Sequence, residues 1–287
     1  MPNAPTPDCS IITVSWNVKQ YLQESLEAVF FATGGTVSFE VFVVDNNSTD
    51  GTRAMLREFA GREPRLCVMF NNTNVGFARA NNQAIEQARG RYVLLLNPDM
   101  RVFPDTLQKM VAWMDAHQRA GVAGCHLVTE AGETVPHARR FPGLWNQLAI
   151  VLKIPHLFPR ALDRYLMRDF DYTKEARVDS VRGSFFLIRR EALRVGLLDE
   201  RFFIWFEEVD FCKRMRSAGW EVWYTPVARC VDRVGRSFAL VSGYQKQKMF
   251  LDSMYRYFEK WGDWRHRLAI GCARPIGLFM AWVASHV

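Results

Sequence analysis

Two aspartates close apolar runs in this chain, Asp45 after Val43-Val44 and Asp99 after Tyr92-Val93-Leu94-Leu95-Leu96-Asn97-Pro98. A carboxylate beyond the carboxyl end of a buried strand stands where open α/β sheets bind their ligands. At Asp45 it can accept a hydrogen bond from the ring N–H of a uracil or thymine, or bind a ribose hydroxyl. At Asp99, where Pro98 stops the strand, it offers a hard oxygen ligand suited to Mg²⁺ or Mn²⁺. Further on, Phe202-Phe203-Ile204-Trp205-Phe206 runs into Glu207, Glu208 and Asp210 at a helix start. Acids in a first turn complement the helix dipole, which accounts for one or two of them. Carboxyls beside so much apolar surface can be held neutral to a higher pH and so become competent bases.

Asn72-Thr73-Asn74-Val75-Gly76-Phe77 is a strand-to-helix loop whose glycine lets a ligand approach the backbone at a helix N-terminus. The chain contains neither Gly-x-Gly-x-x-Gly nor Gly-x-x-x-x-Gly-Lys-Ser/Thr. A diphosphate bound here lacks the usual backbone cradle and calls for a metal ion. Thr49 and Asp50 have a simpler use, capping the helix that follows Gly51.

These residues need a sheet to position them. Strand patterns at 10–15, 40–44, 66–70 and 92–96 alternate with helices at 19–29, after Gly51 and at 77–88, which predicts a parallel sheet with helices on its faces. Gly90 is expected to close its helix in a left-handed conformation. Past Asp99 a helix runs from Pro104 to about Ala116, with strands at 122–125, 184–188 and 222–224, a helix at 208–218 closed by Gly219, and helix from Tyr244 onward. The irregular stretch 136–179, broken by Pro142, Pro155 and Pro159, reads as a variable segment over the site.

With 49% hydrophobic and 23% charged residues the chain is a folded globular protein. Its net charge of +7 suggests an anionic partner. Six scattered cysteines without a Cys-x-x-Cys pair indicate neither a zinc knuckle nor a disulfide framework and suit a reducing cytosol. The polar, proline-rich first residues resemble no secretory signal, and no uninterrupted apolar run reaches the length of a membrane span.

Together the blocks Val44-Asp45-Asn46-Asn47-Ser48-Thr49-Asp50-Gly51-Thr52, Asn74-Val75-Gly76-Phe77 with Asn81-Asn82, Leu96-Asn97-Pro98-Asp99, Gly183-Ser184-Phe185-Phe186 and Phe203 to Asp210 resemble the family 2 inverting glycosyltransferases, most closely the rhamnosyltransferase-like branch. The resemblance implies a GT-A fold, α/β with a mixed central sheet, over residues 8–240, divided into a nucleotide-binding half (8–100) and an acceptor half (101–240). It implies donor contacts from Asp45, Asn47, Asn74, Gly76, Arg79, Asn82 and Asn97, a divalent cation on Asp99, and Glu208 as catalytic base. Gly183, Ser184, Trp205, Glu207 and Asp210 would face the acceptor. Relatives typically carry His-x-x-Gly-x-Ser with a metal-binding histidine. Here the matching residues are Asp232-Arg233-Val234-Gly235-Arg236-Ser237, so Asp232 is expected to contact the metal and favour Mg²⁺. The alternative for Asp232 is a surface pair with Arg233.

The implied reaction moves a sugar, rhamnose from dTDP-rhamnose by this branch or another sugar from a UDP donor, to a glycan or a polyprenyl-diphosphate-linked saccharide. The rival classes are a sugar nucleotidyltransferase, which would want a glycine-rich basic N-terminal loop, and a non-catalytic binding module. Residues 241–287 read as a helical extension that interleaves basic and aromatic side chains and ends in an apolar stretch too short to span. It suits a peripheral membrane contact at the inner face of the cell membrane, or packing on the enzyme's core or a second subunit, rather than nucleic acid.

Overall fold

A computed structural model describes residues 5–32, 37–233 and 241–285. Val234, Gly235, Arg236 and Ser237 of the expected metal segment lie outside the described residues, so only its Asp232 and Arg233 are placed. The strands are β1 (Cys9–Ser15), β2 (Phe39–Asp45), β3 (Leu66–Phe70), β4 (Tyr92–Leu96), β5 (Met100–Val102), β6 (Ala120–Val128), β7 (Ala176–Arg177), β8 (Phe185–Arg189) and β9 (Glu221–Asp232). The helices are α1 (Lys19–Ala32), α2 (Thr52–Arg62), α3 (Phe77–Ile85), α4 (Thr106–Ala116), α5 (Leu144–Val151), α6 (Asp163–Leu166), α7 (Glu207–Ser217), α8 (Gly243–Trp261) and α9 (Trp264–Ala284).

One sheet runs β3-β2-β1-β4-β8-β6-β9-β5, with β7 also on β9. The β3-β2-β1-β4 half is parallel, and β8 enters antiparallel beside β4. The apolar runs reflect burial on both faces. In β4, Leu94 and Leu96 point to the layer holding α1, α2 and α4, while Val93 and Leu95 point to that of α3 and α7.

The β-α alternation places the first elements within a few residues of expectation, but three features differ. Helix α3 stops at Ile85, and Gly90 is not among the left-handed glycines. Its requirement is steric instead, since a Cβ there would collide with the Ser10 amide nitrogen. Strand β9 runs eight residues beyond the expected 222–224, past Pro226, and carries Asp232 to the sheet's far end. The stretch 136–179 folds into α5, α6, two 3-10 turns and β7, and it supplies no wall to the cavity described below.

A third core ties the C-terminal helices to the rest. Phe202 and Phe206 pack with Val151 of α5, with Leu251, Met254, Tyr257 and Phe258 of α8, and with Ile270 and Ala273 of α9. Asp210 locks this contact. Its fully buried carboxylate accepts from Arg214 Nε at 2.9 Å, Lys260 Nζ at 2.9 Å and Trp261 Nε1 at 2.7 Å. Lys260 also reaches Asp199 at 2.8 Å.

Breaking a buried pair on one side leaves uncompensated charge, at a cost of about 3–5 kcal/mol. Asp210→Ala is therefore expected to lower unfolding stability by about that amount in urea titrations. A loss below about 1 kcal/mol, the worth of an exposed pair, would count against this anchoring role.

Candidate active site

The carboxyl ends of β1, β2 and β4 open into a cavity of about 670 Å³. Its sheet-side wall holds Val14 near the end of β1 and Trp16 just after it, Asn46 after β2, Asn74 and Gly76 before α3, and Asn97, Pro98 and Asp99 after β4. The expected Asn74, Gly76, Asn97 and Asp99 are thus brought together. The Asn74 side chain accepts from the Gly76 amide at 3.0 Å, shaping the loop. Gly76 is left-handed (φ 88°), and a Cβ on it would meet the Phe203 carbonyl oxygen at 2.7 Å. Phe77 N–H donates to that same carbonyl at 2.7 Å.

Other expected donor contacts are not on the wall. Asn47 takes the left-handed turn position (φ 66°) and faces solvent, so its neighbour Asn46 enters the cavity wall. Asn46 is fixed there by donating to the Gly76 carbonyl at 3.3 Å and accepting from Asn71 at 2.9 Å. Asn82 is buried and braces the Leu198 backbone from below α3, and Arg79 is exposed beside Glu200. Asp45 is fully buried and off the cavity lining. Its Oδ2 accepts from Arg53 Nε at 2.8 Å and from the Ser48 amide at 3.1 Å. Its Oδ1 is buried with no hydrogen-bond partner, an orphaned acceptor of the kind a base N–H would satisfy. Trp16 escaped the sequence reading. An aromatic just past an apolar strand end is the signal that could have found it.

Across the cavity, β5 pairs with β9 in a register that puts Met100 opposite Asp232. This places Asp99 and Asp232 side by side, both buried and both on the wall. Asp232 is not paired with Arg233, which turns to Glu24 and Glu130. Its Oδ2 is taken by Arg182 Nη1 at 3.2 Å and by the Ser184 hydroxyl at 3.3 Å. Burial raises its carboxyl above the usual range and Asp99 adds to this, against the pull of Arg182. Arg182 lines the cavity and was not foreseen.

The aromatic run forms the remaining wall. Trp205 and Phe206 are consecutive left-handed residues (φ 64° and 69°), and they turn the chain sharply into α7. Such non-glycine conformations cost about 1–3 kcal/mol each and concentrate at functional sites. The kink delivers Glu207 and Glu208 to the cavity, with Gly183 facing Glu208. Burial raises both carboxyls, and for Glu207 the neighbouring Glu208 raises it further. Backbone hydrogen bonds and Arg182 draw Glu208 the other way. One oxygen of each is buried without a partner. Asp210, expected on the acceptor side, instead points into the ion-pair cluster at Lys260. The last wall, Gln245, Lys246, Lys248 and Met249, comes from α8.

A family model described as glycosyl transferase family 2 matches residues 10–196. Among curated proteins the chain is similar to N-acetylglucosaminyl-diphospho-decaprenol L-rhamnosyltransferase of Mycobacterium tuberculosis, 28% identical over 79% of this chain and 76% of that one. In fold it matches a mannosyltransferase of Pyrobaculum calidifontis solved with GDP-Man and Mn²⁺, with TM-score 0.61, 20% identity, and coverage of 98% of this chain and 74% of that one. It also matches GalNAc-T7 solved with UDP, GalNAc and Mn²⁺, with TM-score 0.64, 15% identity, and coverage of 89% and 50%. The fold is that of the GT-A glycosyltransferases.

A carboxyl whose folded pKa is raised stabilises the protein fully below its unfolded value, and that contribution disappears as pH rises through the folded value. Glu207→Gln removes this burden, so it is expected to raise the melting temperature at about pH 8, with the gain closing toward about pH 4. Equal shifts at both pH values in thermal melts would contradict a buried, raised Glu207.

Proposed function

The chain belongs to glycosyl transferase family 2 and is a glycosyltransferase, and from that membership we propose an inverting transfer of a sugar from a nucleotide-diphosphate donor to an acceptor hydroxyl, with Glu208 as base. The observation that carries this reading is one cavity with strand-end Asn46, Asn97 and Asp99 on one side and the raised, part-open Glu208 on the other. Glu208 takes the proton of the acceptor hydroxyl. The hydroxyl oxygen bonds to the anomeric carbon from the face opposite the diphosphate, and the bond from that carbon to the diphosphate oxygen breaks. Trp16, Asn46, Asn74 and Gly76 would hold the nucleotide side of the donor, and Asp45, buried behind them and off the wall, would fix the strand end through Arg53 and the Ser48 amide.

The residues fit a hard divalent cation at Asp99. Among the described residues no group of three His, Cys, Asp or Glu side chains forms a ligand cluster. Mg²⁺ is commonly held by only one or two carboxylates together with substrate phosphates. Such a cation would neutralise the charge growing on the leaving diphosphate. The M. tuberculosis relative is named for rhamnosyl transfer onto a decaprenyl-diphosphate-linked sugar. That supports dTDP-rhamnose as donor and a polyprenyl-diphosphate-linked saccharide as acceptor in cell-surface polysaccharide synthesis. UDP-sugars are the second reading, since thymine and uracil present the same ring N–H.

A lipid-linked acceptor is reached at a membrane, and α9 offers a face for one. The helix has 21 residues, long and apolar enough to cross a bilayer, because its arginines interrupt the apolar run without ending the helix. One side of it is committed to the domain through Ile270, Ala273 and Gly277, so the helix lies along the protein instead of projecting from it. On the other side, from Leu268 onward, the exposed residues are Cys272, Pro275, Ile276, Phe279, Trp282, Val283 and Ala284, with no charge. Exposed Arg265 and Arg267 sit at the helix start. A basic end followed by an apolar stripe is the pattern of a helix lying in an anionic lipid interface. We read the protein as peripheral at the inner face of the cell membrane.

Two measurements test these readings. In a panel of dTDP-rhamnose and UDP-sugars with Mg²⁺ or Mn²⁺, Glu208→Gln is expected to keep donor-induced thermal stabilisation and lose transfer at least a hundredfold, the lower end of general-base contributions at about 10²–10⁴. Retained transfer would move the base elsewhere. For the membrane face, the full chain is expected to co-sediment with phosphatidylglycerol-containing vesicles, and Ile276→Glu with Phe279→Glu to abolish this. If those changes instead convert a dimer to a monomer without affecting vesicle binding, the face belongs to a second copy.

A further inference from the structure

We propose that Arg182 is the side chain this protein sets against the leaving diphosphate, and that Asp232 positions Arg182 instead of binding a metal; the proposal rests on the glycosyltransferase reading above. The Asp232 carboxylate is buried at the end of β9, where an uncompensated charge would be costly. The fold compensates it with two donors on one oxygen, the Arg182 guanidinium at 3.2 Å and the Ser184 hydroxyl at 3.3 Å. A cation on that oxygen would have to displace both.

Arg182 is held without being used up. Its side chain remains 40% exposed and lines the cavity, while Asp232 is 3% exposed behind it. A guanidinium has five donors in a planar fork that matches phosphate oxygens two at a time, so one contact with Asp232 leaves the fork available. The chain lacks any glycine-rich phosphate loop, so charge on a diphosphate must be met by side chains or a cation. Of the cavity's other bases, Lys246 and Lys248 stand on α8, and Lys248 is already paired with Asp252 at 2.9 Å.

Position completes the argument. Arg182 is ion-paired with Asp232 and shares the cavity wall with Glu208, and its positive charge is felt by both carboxyls. A donor whose anomeric carbon lies within reach of an acceptor activated by Glu208 would have its diphosphate in the same cavity, which Arg182 lines. Asp232 then acts through Arg182 as a positioning residue. It holds the fork at the cavity wall, where a preorganised charge costs no reorganisation at the moment of reaction.

The test uses the full-length chain and calorimetric binding of UDP, dTDP and inorganic diphosphate in the presence of Mg²⁺, with uridine and thymidine as controls. Arg182→Ala is expected to weaken all three diphosphates at least tenfold and to leave the nucleosides unchanged. Arg182→Lys keeps the pairing charge but loses the fork, and an intermediate loss is expected, which separates recognition from misfolding. Mn²⁺ binding followed by electron paramagnetic resonance with UDP present should survive Asp232→Asn and be lost in Asp99→Asn. Diphosphate affinities unchanged in both Arg182 variants, or Mn²⁺ binding lost in Asp232→Asn, would overturn the proposal. If the unmodified protein transfers sugar while either of those results holds, this inference alone fails. If the unmodified protein binds no nucleoside diphosphate at all, the glycosyltransferase reading fails with it.

Discussion

The site depends on the contact between the backbone of Gly76 and the carbonyl of Phe203. Only a residue without a side chain can lie there, because a Cβ would sit 2.7 Å from the carbonyl oxygen. The adjacent Phe77 N–H closes a hydrogen bond of 2.7 Å to the same atom, fastening the loop before α3 to the loop before α7. From that anchor the chain has two residues, Ile204 and Trp205, before Phe206 opens α7, and it makes the turn with consecutive left-handed conformations at Trp205 and Phe206. The third core supports this strained turn from behind, with Phe206 packed against Tyr257 and Phe250 at ring separations of 5.6 and 5.5 Å. The position of Glu208 therefore derives from a steric fact at Gly76 and a hydrophobic one at Phe206.

The cavity concentrates acids in a protein that is basic as a whole. Asp99, Asp232, Glu207 and Glu208 all face it, and burial opposes the charge of three of them. This is an unfavourable arrangement for a fold and a useful one for chemistry, since a carboxyl whose pKa is raised by burial is a stronger base than a free one. The molecule offsets it unevenly. Asp232 receives a guanidinium, whereas Glu207 keeps an oxygen with no partner. Asp210, one turn further along α7, has its charge met in full by Arg214 and Lys260 and serves packing alone. Acids three residues apart on one helix thus have opposite employment, decided by which side of α7 meets the C-terminal helices.

That division explains what the amino-acid order discloses and what it withholds. Runs such as Tyr92 to Leu96 announce strands covered on both faces, and a carboxylate after such a run is at the sheet mouth whatever surrounds it, so Asp99 and the cavity's general location are legible. The choice between Asn46 and Asn47 hangs on which of them takes the left-handed turn, a one-residue matter invisible to pattern. Asn82 and Asp210 sit in helices at plausible spacing, yet their partners lie 116 and 50 residues away. The pairing of Arg182 with Asp232 requires the β8–β6 and β6–β9 registers, which no local signal encodes. Helix α9 was hidden for a different reason: counting uninterrupted apolar residues stops at each arginine, while the helix and its uncharged outer stripe continue past them.

The order of the sheet has a consequence for how the protein comes into being on the ribosome. Strand β5 follows β4 in the chain by only a few residues, yet its neighbour is β9, made more than a hundred residues later. The parallel half with its nucleotide-side loops is synthesised first, while Asp99 lacks its companion acid until β9 has been inserted beside β6. The acid pair thus arrives late, as a property of the closed sheet and not of the donor-binding half.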